Sequence, residues 1–174
     1  EVISSGENLD IQVKQIPITK VGDGSSISGL RIMEQKQEGL YTVVWHPIGG
    51  QPNVEDICKL SEAISNMEDV EIRLSPDETA YIVNLTGNEA EKVLEVTKNS
   101  ALSLFETTVS CIGANICQVG LRDSQGLLRN CVEEVRNAGI SSTALPQMHI
   151  SGCPSSCGTH QTGGIGFRGA SKSV

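Results

Sequence analysis

Four of the six cysteines in this chain stand in two short pairs, and these pairs are the residues best suited to chemistry. Cys111 and Cys117 form a C-x5-C pair, and Cys153 and Cys157 form a C-x3-C pair inside the stretch GCPSSCG. Four thiolates bind either a structural zinc ion or a [4Fe–4S] cluster. The C-x3-C spacing suits both, whereas C-x5-C is longer than an ordinary zinc knuckle. The spacing therefore favours the cluster, with a structural zinc module as the alternative.

The two remaining cysteines lie in stretches with helical patterning. Cys131 shares an apolar stripe with Leu128 and Val135, so we interpret it as a small buried apolar residue. Cys58 flanks a similar stripe that includes Leu60 and Ile64, and we expect a structural role for it as well. Only the two pairs are therefore expected to bind a metal.

The ends of the chain bear on its compartment and its extent. The first residues, EVISSGENLD, lack a secretory pattern, so we expect a reducing cytoplasm in which thiols stay free or bind metal. The chain begins without Met and stops soon after the apolar residues IGF. We therefore interpret it as a fragment of a longer protein.

Charge and composition exclude two classes of partner. The 174-residue chain has a net charge of −8, which opposes binding to the polyanionic backbone of nucleic acid. It contains no apolar run close to the roughly 20 residues that a membrane helix needs. We therefore expect neither nucleic acid nor a membrane as a partner.

Ahead of the cysteine pairs, the apolar pattern predicts an α+β unit with the order β-α-β-β-α. The predicted elements are a strand at 40–48, a helix at 54–67, strands at 70–74 and 80–85, and a helix at 88–98. The strand at 70–74 alternates, with Val70, Ile72 and Leu74 on one face. The last helix carries a predicted capping box from Asn88 to Glu91. Residues 1–39 are rich in Gly, Ser and charge and are interpreted as a linker or N-terminal arm.

Two further strands are predicted to deliver the cysteine pairs. The β-branched stretch TTVS leads into Cys111, and a strand at 147–151 leads into Gly152 and Cys153. Between them we predict a helix at 124–138, with Ser124 as its N-cap and Gly139 as its C-terminal stop. Two strand ends would then each present one pair of thiols, on a rigid scaffold.

The cysteine region resembles the cluster and siroheme region of the nitrite and sulfite reductase family. The stretch SGCPSSCGTHQTGGIGF is similar to a family signature of Gly-Cys, three residues, Cys, and a later apolar-Gly-apolar end. Cys111 and Cys117 have the C-x5-C spacing of the family's first cysteine pair. The resemblance covers residues 40–169, and by it we divide the chain into a ferredoxin-like half-domain (40–104) and part of an α/β siroheme and [4Fe–4S] domain (105–174).

The resemblance implies siroheme and one [4Fe–4S] cluster that together reduce nitrite or sulfite by six electrons. The cluster ligands would be Cys111, Cys117, Cys153 and Cys157, and the Cys157 thiolate would also bridge to the siroheme iron. An electron donor, such as ferredoxin or a reductase subunit, and the missing half of the parent enzyme are the implied partners. The alternative is a non-catalytic iron–sulfur protein that carries electrons or only binds a cofactor.

Outside the cysteine signature, a few residues are candidates for contacts to siroheme or to the substrate anion. By the resemblance, Ser155 is a candidate cofactor contact, although the family often has Asn there, and Gly164 stands where the family usually has an acidic residue. Arg73 matches a family arginine and is the best candidate for an anion or siroheme contact, with a solvated surface charge as the alternative. His149 and His160 are candidate proton donors near the cluster loop, although an isolated loop histidine is more often simply exposed. No catalytic residue is assigned.

Overall fold

The structure is a computed structural model that describes residues 18–171, and its first part is a four-stranded antiparallel sheet. The strands are β1 (Ile32–Glu34), β2 (Tyr41–Trp45), β3 (Glu71–Leu74) and β4 (Ala80–Leu85), in the spatial order β1-β2-β4-β3. Helix α1 (Val54–Ile64) connects β2 to β3, and α2 (Gly87–Val96) follows β4. The predicted β-α-β-β-α order is thus present, with β1 added ahead of it.

The core of this unit lies between the central strands and the two helices. Val43, Ile82, Leu85 and Val93 are fully buried there, because β2 and β4 are the strands that the helices cover. Strand β3 forms the edge of the sheet, and all four of its residues are exposed, including Ile72 and Leu74. Of the apolar face predicted for this strand, Ile72 and Leu74 are thus exposed, whereas Val70, just ahead of β3, is half-buried against the core.

Residues 18–39, the described part of the predicted linker or arm, pack against the first sheet. Strand β1 pairs antiparallel with β2. The Arg31 guanidinium donates to the carbonyl oxygens of Leu94 at 3.0 Å and Thr97 at 2.7 Å, at the C-terminal end of α2. Lys20 forms a 2.6 Å ion pair with Glu89. Residues 1–17, which the same prediction covers, lie outside the described part of the chain.

A second sheet of three parallel strands carries the cysteine region. Strands β5 (Val109–Ser110), β6 (Met148–Ser151) and β7 (Ile165–Arg168) are arranged in that order. Helix α3 (Ser124–Asn137) supplies the crossover that a parallel β5–β6 pair requires. Leu128 and Val132 of α3 pack on Phe105, Met148 and Ile150 to form a second core. The predicted α+β class is confirmed.

The helix caps differ from those predicted. The capping box of α2 joins Thr86 to Glu89, not Asn88 to Glu91, because Thr86 is the last residue with extended backbone before the helix. Asp123 rather than Ser124 caps α3 and accepts from the Gly126 N–H at 2.8 Å. Ser124 is therefore the first helical residue, and its hydroxyl donates to the Cys111 carbonyl oxygen instead of capping the helix.

No helix in the 18–171 stretch combines the length and apolar character needed to cross a bilayer.

Candidate functional site

All four paired cysteines line one cavity of about 350 Å³ at the end of the second sheet. Cys111 follows the last residue of β5 directly, and Cys153 follows β6 after one intervening glycine. Because β5 and β6 are adjacent and parallel, their carboxyl ends open at the same edge. The two strand-end loops therefore bring the two pairs to one place.

The four thiols differ in exposure. Cys153 is buried, with 8% of its surface accessible, while Cys111 and Cys117 are half-buried and Cys157 is exposed. Ile112 and Val119, which line the same cavity, are 47% and 68% exposed. The site is thus a cysteine-lined hollow with an apolar and open rim.

Cys111 has the most developed hydrogen-bond environment of the four. The Gly152 N–H donates to Cys111 Sγ at 3.1 Å, and Ser124 Oγ lies 3.2 Å from the same sulfur. Burial by itself would raise the pKa of the Cys111 thiol, but hydrogen bonds from Ser124, Gly152 and Gly113 outweigh it and lower that pKa. The site therefore favours the thiolate form, which is the form that binds metal.

Gly152 lets the two cysteine loops approach each other closely. Its carbonyl oxygen accepts from the N–H groups of Leu121 at 3.0 Å and Arg122 at 2.9 Å. A Cβ at this position would lie 2.7 Å from the Arg122 carbonyl oxygen and 3.5 Å from Cys111 Sγ. Only a residue without a side chain leaves the space beside the sulfur free.

The two histidines of the region hold the second cysteine loop. His160 Nδ1 lies 3.0 Å from Ser151 Oγ, which also accepts from the Gly158 N–H at 3.2 Å. His149 Nδ1 lies 2.8 Å from Thr159 Oγ1. Both side chains thus tie the 153–164 loop to strand β6, and neither lines the cysteine cavity.

The other predicted contacts fall in different places. Ser155 lines the cavity with the cysteines. Arg73 lies on the exposed strand β3, outside the cavity lining, and donates from Nε and Nη2 to Glu71 at 3.1 and 3.0 Å. Its role in binding an anion or siroheme stays a prediction.

Glu78 also lines the cavity, although we assigned it no site role from the sequence, where it stands in place of a family Gln. Although Glu78 is an exposed residue, partial desolvation of its carboxyl group, with a smaller contribution from the nearby Asp77 carboxylate, raises the pKa of that group. It reaches the cavity because the turn between β3 and β4 faces the loop that follows β5, a contact that only the packing of the two units creates.

The two cysteines outside the pairs lie apart from the cavity. Cys131 packs beside the second core, and burial raises the pKa of its thiol, as expected of a structural residue. Cys58 is exposed on α1, so the expectation of a structural role for it is wrong: its position on the helix faces solvent.

The chain is similar in sequence to enzymes that reduce nitrite and sulfite. It is 30% identical over 141 residues to the chloroplastic ferredoxin–nitrite reductase of Betula pendula, covering 78% of this chain and 24% of that enzyme. The ferredoxin–nitrite reductase of Synechococcus elongatus is 27% identical over 146 residues, with shares of 81% and 28%. The hemoprotein beta-component of NADPH sulfite reductase from Bacillus licheniformis is 23% identical over 135 residues, with shares of 70% and 23%. The chain thus spans about a quarter of the length of the curated relatives it matches.

The fold is similar to that of a solved structure. The NirA protein of Mycobacterium tuberculosis matches with a TM-score of 0.71 at 20% identity, over 88% of this chain and 30% of that one. No protein-family model matches the chain. The predicted resemblance is confirmed: over most of its length, the chain is homologous to a segment of the nitrite and sulfite reductase family.

Proposed function

We propose that this chain binds one [4Fe–4S] cluster through Cys111, Cys117, Cys153 and Cys157. We propose further that it forms part of a siroheme-dependent enzyme that reduces nitrite to ammonia or sulfite to sulfide. The observation that carries the proposal is that four thiols from two strand-end loops line a single cavity. The relatives support the activity, because those that match over most of this chain are named as reductases of these two anions.

The residues present fit an iron–sulfur cluster. Within residues 18–171, no three His, Cys, Asp or Glu side chains converge closely enough to hold one metal ion. A cubane is larger than an ion and takes one thiolate on each of its irons, so it suits thiols that are spread around a hollow. The Gly152 N–H and the Ser124 hydroxyl beside Cys111 supply the hydrogen-bond donors that accompany such ligands.

The rim of the cavity supports a place for siroheme. Cys157 is the exposed thiol of the set and is the one we assign to the contact between the two cofactors. The exposed apolar rim, with Ile112 and Val119, suits a large ring and the rest of the enzyme as its cover. Once bound, the cofactors would pass electrons from the donor to the anion one at a time, and the protein would set their orientation and surroundings.

We propose ferredoxin or a reductase subunit as the electron donor, since ferredoxin stands in the names of the nitrite reductase relatives. The substrate anion needs basic residues, and the 174-residue chain has 13 Lys and Arg against 21 Asp and Glu. We therefore place most of the anion site in parts of the parent enzyme other than this chain. A non-catalytic iron–sulfur carrier is less well supported, because the matched relatives are reductases.

The test is the metal content of the chain after anaerobic reconstitution with iron and sulfide. We expect about four irons and four sulfides per chain, and a Cys153→Ser, Cys157→Ser double variant should take up far less. The Cys58→Ser variant is the matched control, because it removes a thiol outside the cavity. Stoichiometric zinc that iron does not displace would overturn the cluster assignment.

A further inference from the structure

Ser124 is a buried hydroxyl placed against a proposed cluster ligand. Only 2% of Ser124 is exposed, and its Oγ lies 3.2 Å from Cys111 Sγ. Its proton is directed to the Cys111 carbonyl oxygen, to which it donates at 2.7 Å. The residue opens helix α3, and Asp123 performs the capping that a serine at a helix start would otherwise perform. The Ser124 hydroxyl is therefore not needed to cap the helix, and both of its contacts are to Cys111.

The Cys111 carbonyl oxygen does not depend on Ser124 for its hydrogen bonds. The Ser110 hydroxyl donates to it at 3.3 Å, whereas the Gln125 amide shares its two protons among this oxygen at 3.3 Å and the Gly49 and Ser110 carbonyl oxygens, both at 3.1 Å. The Ser110 hydroxyl therefore keeps this carbonyl oxygen hydrogen-bonded if Ser124 turns away. Rotation of the Ser124 hydroxyl proton from oxygen to sulfur thus leaves no buried acceptor unpaired.

Binding of iron changes what the sulfur can do. A neutral thiol can donate its own proton to Ser124 Oγ, but an iron-bound thiolate has no proton and can only accept. A hydrogen bond to a charged acceptor is about twice as strong as one between neutral groups. The burial of Ser124 excludes water as a competing donor at this position.

On this basis, and resting on the proposed function, we propose that Ser124 is a positioning residue that donates its hydroxyl proton to the cluster-bound Cys111 thiolate and thereby raises the reduction potential of the cluster. A donor on a ligand sulfur stabilises the reduced cluster more than the oxidised one, because the reduced cluster carries the additional negative charge. Ser124 acts together with the Gly152 N–H, so Cys111 receives two donors.

The test is the midpoint potential of the reconstituted 174-residue chain, measured by electron paramagnetic resonance during a redox titration. Ser124→Ala should shift the midpoint to a more negative potential, with iron per chain unchanged. Ser124→Thr, which keeps a hydroxyl, should restore the midpoint toward that of the unchanged chain. Ser100→Ala is the matched control, because Ser100 is as deeply buried as Ser124, at 3% exposed, but its hydroxyl lies against the His46 N–H, outside the cysteine cavity.

Each outcome decides the matter. An unchanged midpoint in Ser124→Ala, or an equal shift in Ser100→Ala, would overturn the assignment. A Ser124→Ala chain that folds but holds no iron would also overturn it, because the hydroxyl would then serve assembly rather than potential. Failure of the unchanged chain to take up a cluster would instead count against the proposed function, and so the two failures are distinguishable.

Discussion

At the scale of single residues, the six cysteines divide by their surroundings into cavity and non-cavity positions. Replacement of Cys111, Cys117, Cys153 or Cys157 by Ser should each impair cluster assembly, because a hydroxyl is a poor ligand for iron compared with a soft thiolate. Cys131→Ser should keep the cluster but lower the free energy of unfolding by about 1–3 kcal/mol, since it places a hydroxyl against the second core. Cys58→Ser should change the free energy of unfolding by no more than about 0.5 kcal/mol, because Cys58 is exposed.

Iron content and urea unfolding of the six single variants check this division. The Cys157 variant should additionally alter the siroheme spectrum of the parent enzyme, where this thiol is the proposed bridge. A Cys131→Ser chain without iron, together with a Cys153→Ser chain that retains it, would contradict the ligand assignment.

The buried imidazole of His46 makes the stability of the fold depend on pH. His46 is 6% exposed, its Nδ1 lies 2.9 Å from Thr79 Oγ1, and its Nε2 has no partner within the described residues. Burial lowers the pKa of His46, and the nearby Asp77 carboxylate offsets this only in part. The unfolded chain therefore takes up the proton at a higher pH than the folded chain. The contribution of His46 to stability is complete above about pH 6.5 and declines as the pH falls below that value toward the lower folded pKa.

Urea unfolding of the unchanged chain and of a His46→Gln variant checks this pH dependence. Between about pH 8 and pH 5, the unchanged chain should lose more stability than the variant, which has no titrating group at this position. Parallel losses in the two chains would show that His46 does not contribute to the effect.

At the scale of elements, the second cysteine loop depends on its close approach to strand β6. A Cβ on Gly158 would lie 2.6 Å from the Ile150 carbonyl carbon, and so the loop could not keep its hydrogen bond from Gly158 to Ser151. We expect Gly158→Ala to lower the free energy of unfolding by about 1–3 kcal/mol. It should also reduce iron uptake, because it displaces the segment that carries Cys153 and Cys157.

Gly164→Ala is the matched control for this loop. A Cβ there meets only Pro146 at 3.7 Å, an ordinary contact. Iron per chain and thermal unfolding should both be close to those of the unchanged protein. Equal effects of the two glycine variants would show that the approach at Gly158 does not position the cysteines.

At the scale of the whole molecule, the 174-residue chain should not reduce nitrite or sulfite by itself. It spans about a quarter of the length of the matched relatives, and its net charge of −8 gives no general attraction for an anion. The assay is the consumption of nitrite or sulfite by the reconstituted chain with a reduced viologen. Sustained turnover would contradict our division of labour between this chain and the rest of the parent enzyme.

The sequence by itself determined the element order and the four candidate thiols. The periodicities predicted β4 with the same limits as in the structure, α1 and α2 to within three residues, and α3 to within one residue at its C-terminal end. The pattern of residues ahead of each pair was enough to place Cys111 and Cys153 at strand ends, whereas the adjacency of those two strands came from the structure. These features could be predicted because both depend on residues that are close together in the chain.

Only the tertiary structure decided which side chains face which neighbours. In the structure, Ile72 and Leu74 are exposed, and β3 lies at an edge of its sheet. The structure also contains β1, which the sequence did not predict and which pairs with β2 across a turn. It brought Glu78 to the cysteine cavity and left Arg73 outside it. It also freed Ser124 from capping and set its hydroxyl beside Cys111 Sγ. These contacts join residues from different elements, and the packing of those elements, rather than any local pattern, sets the distances between them.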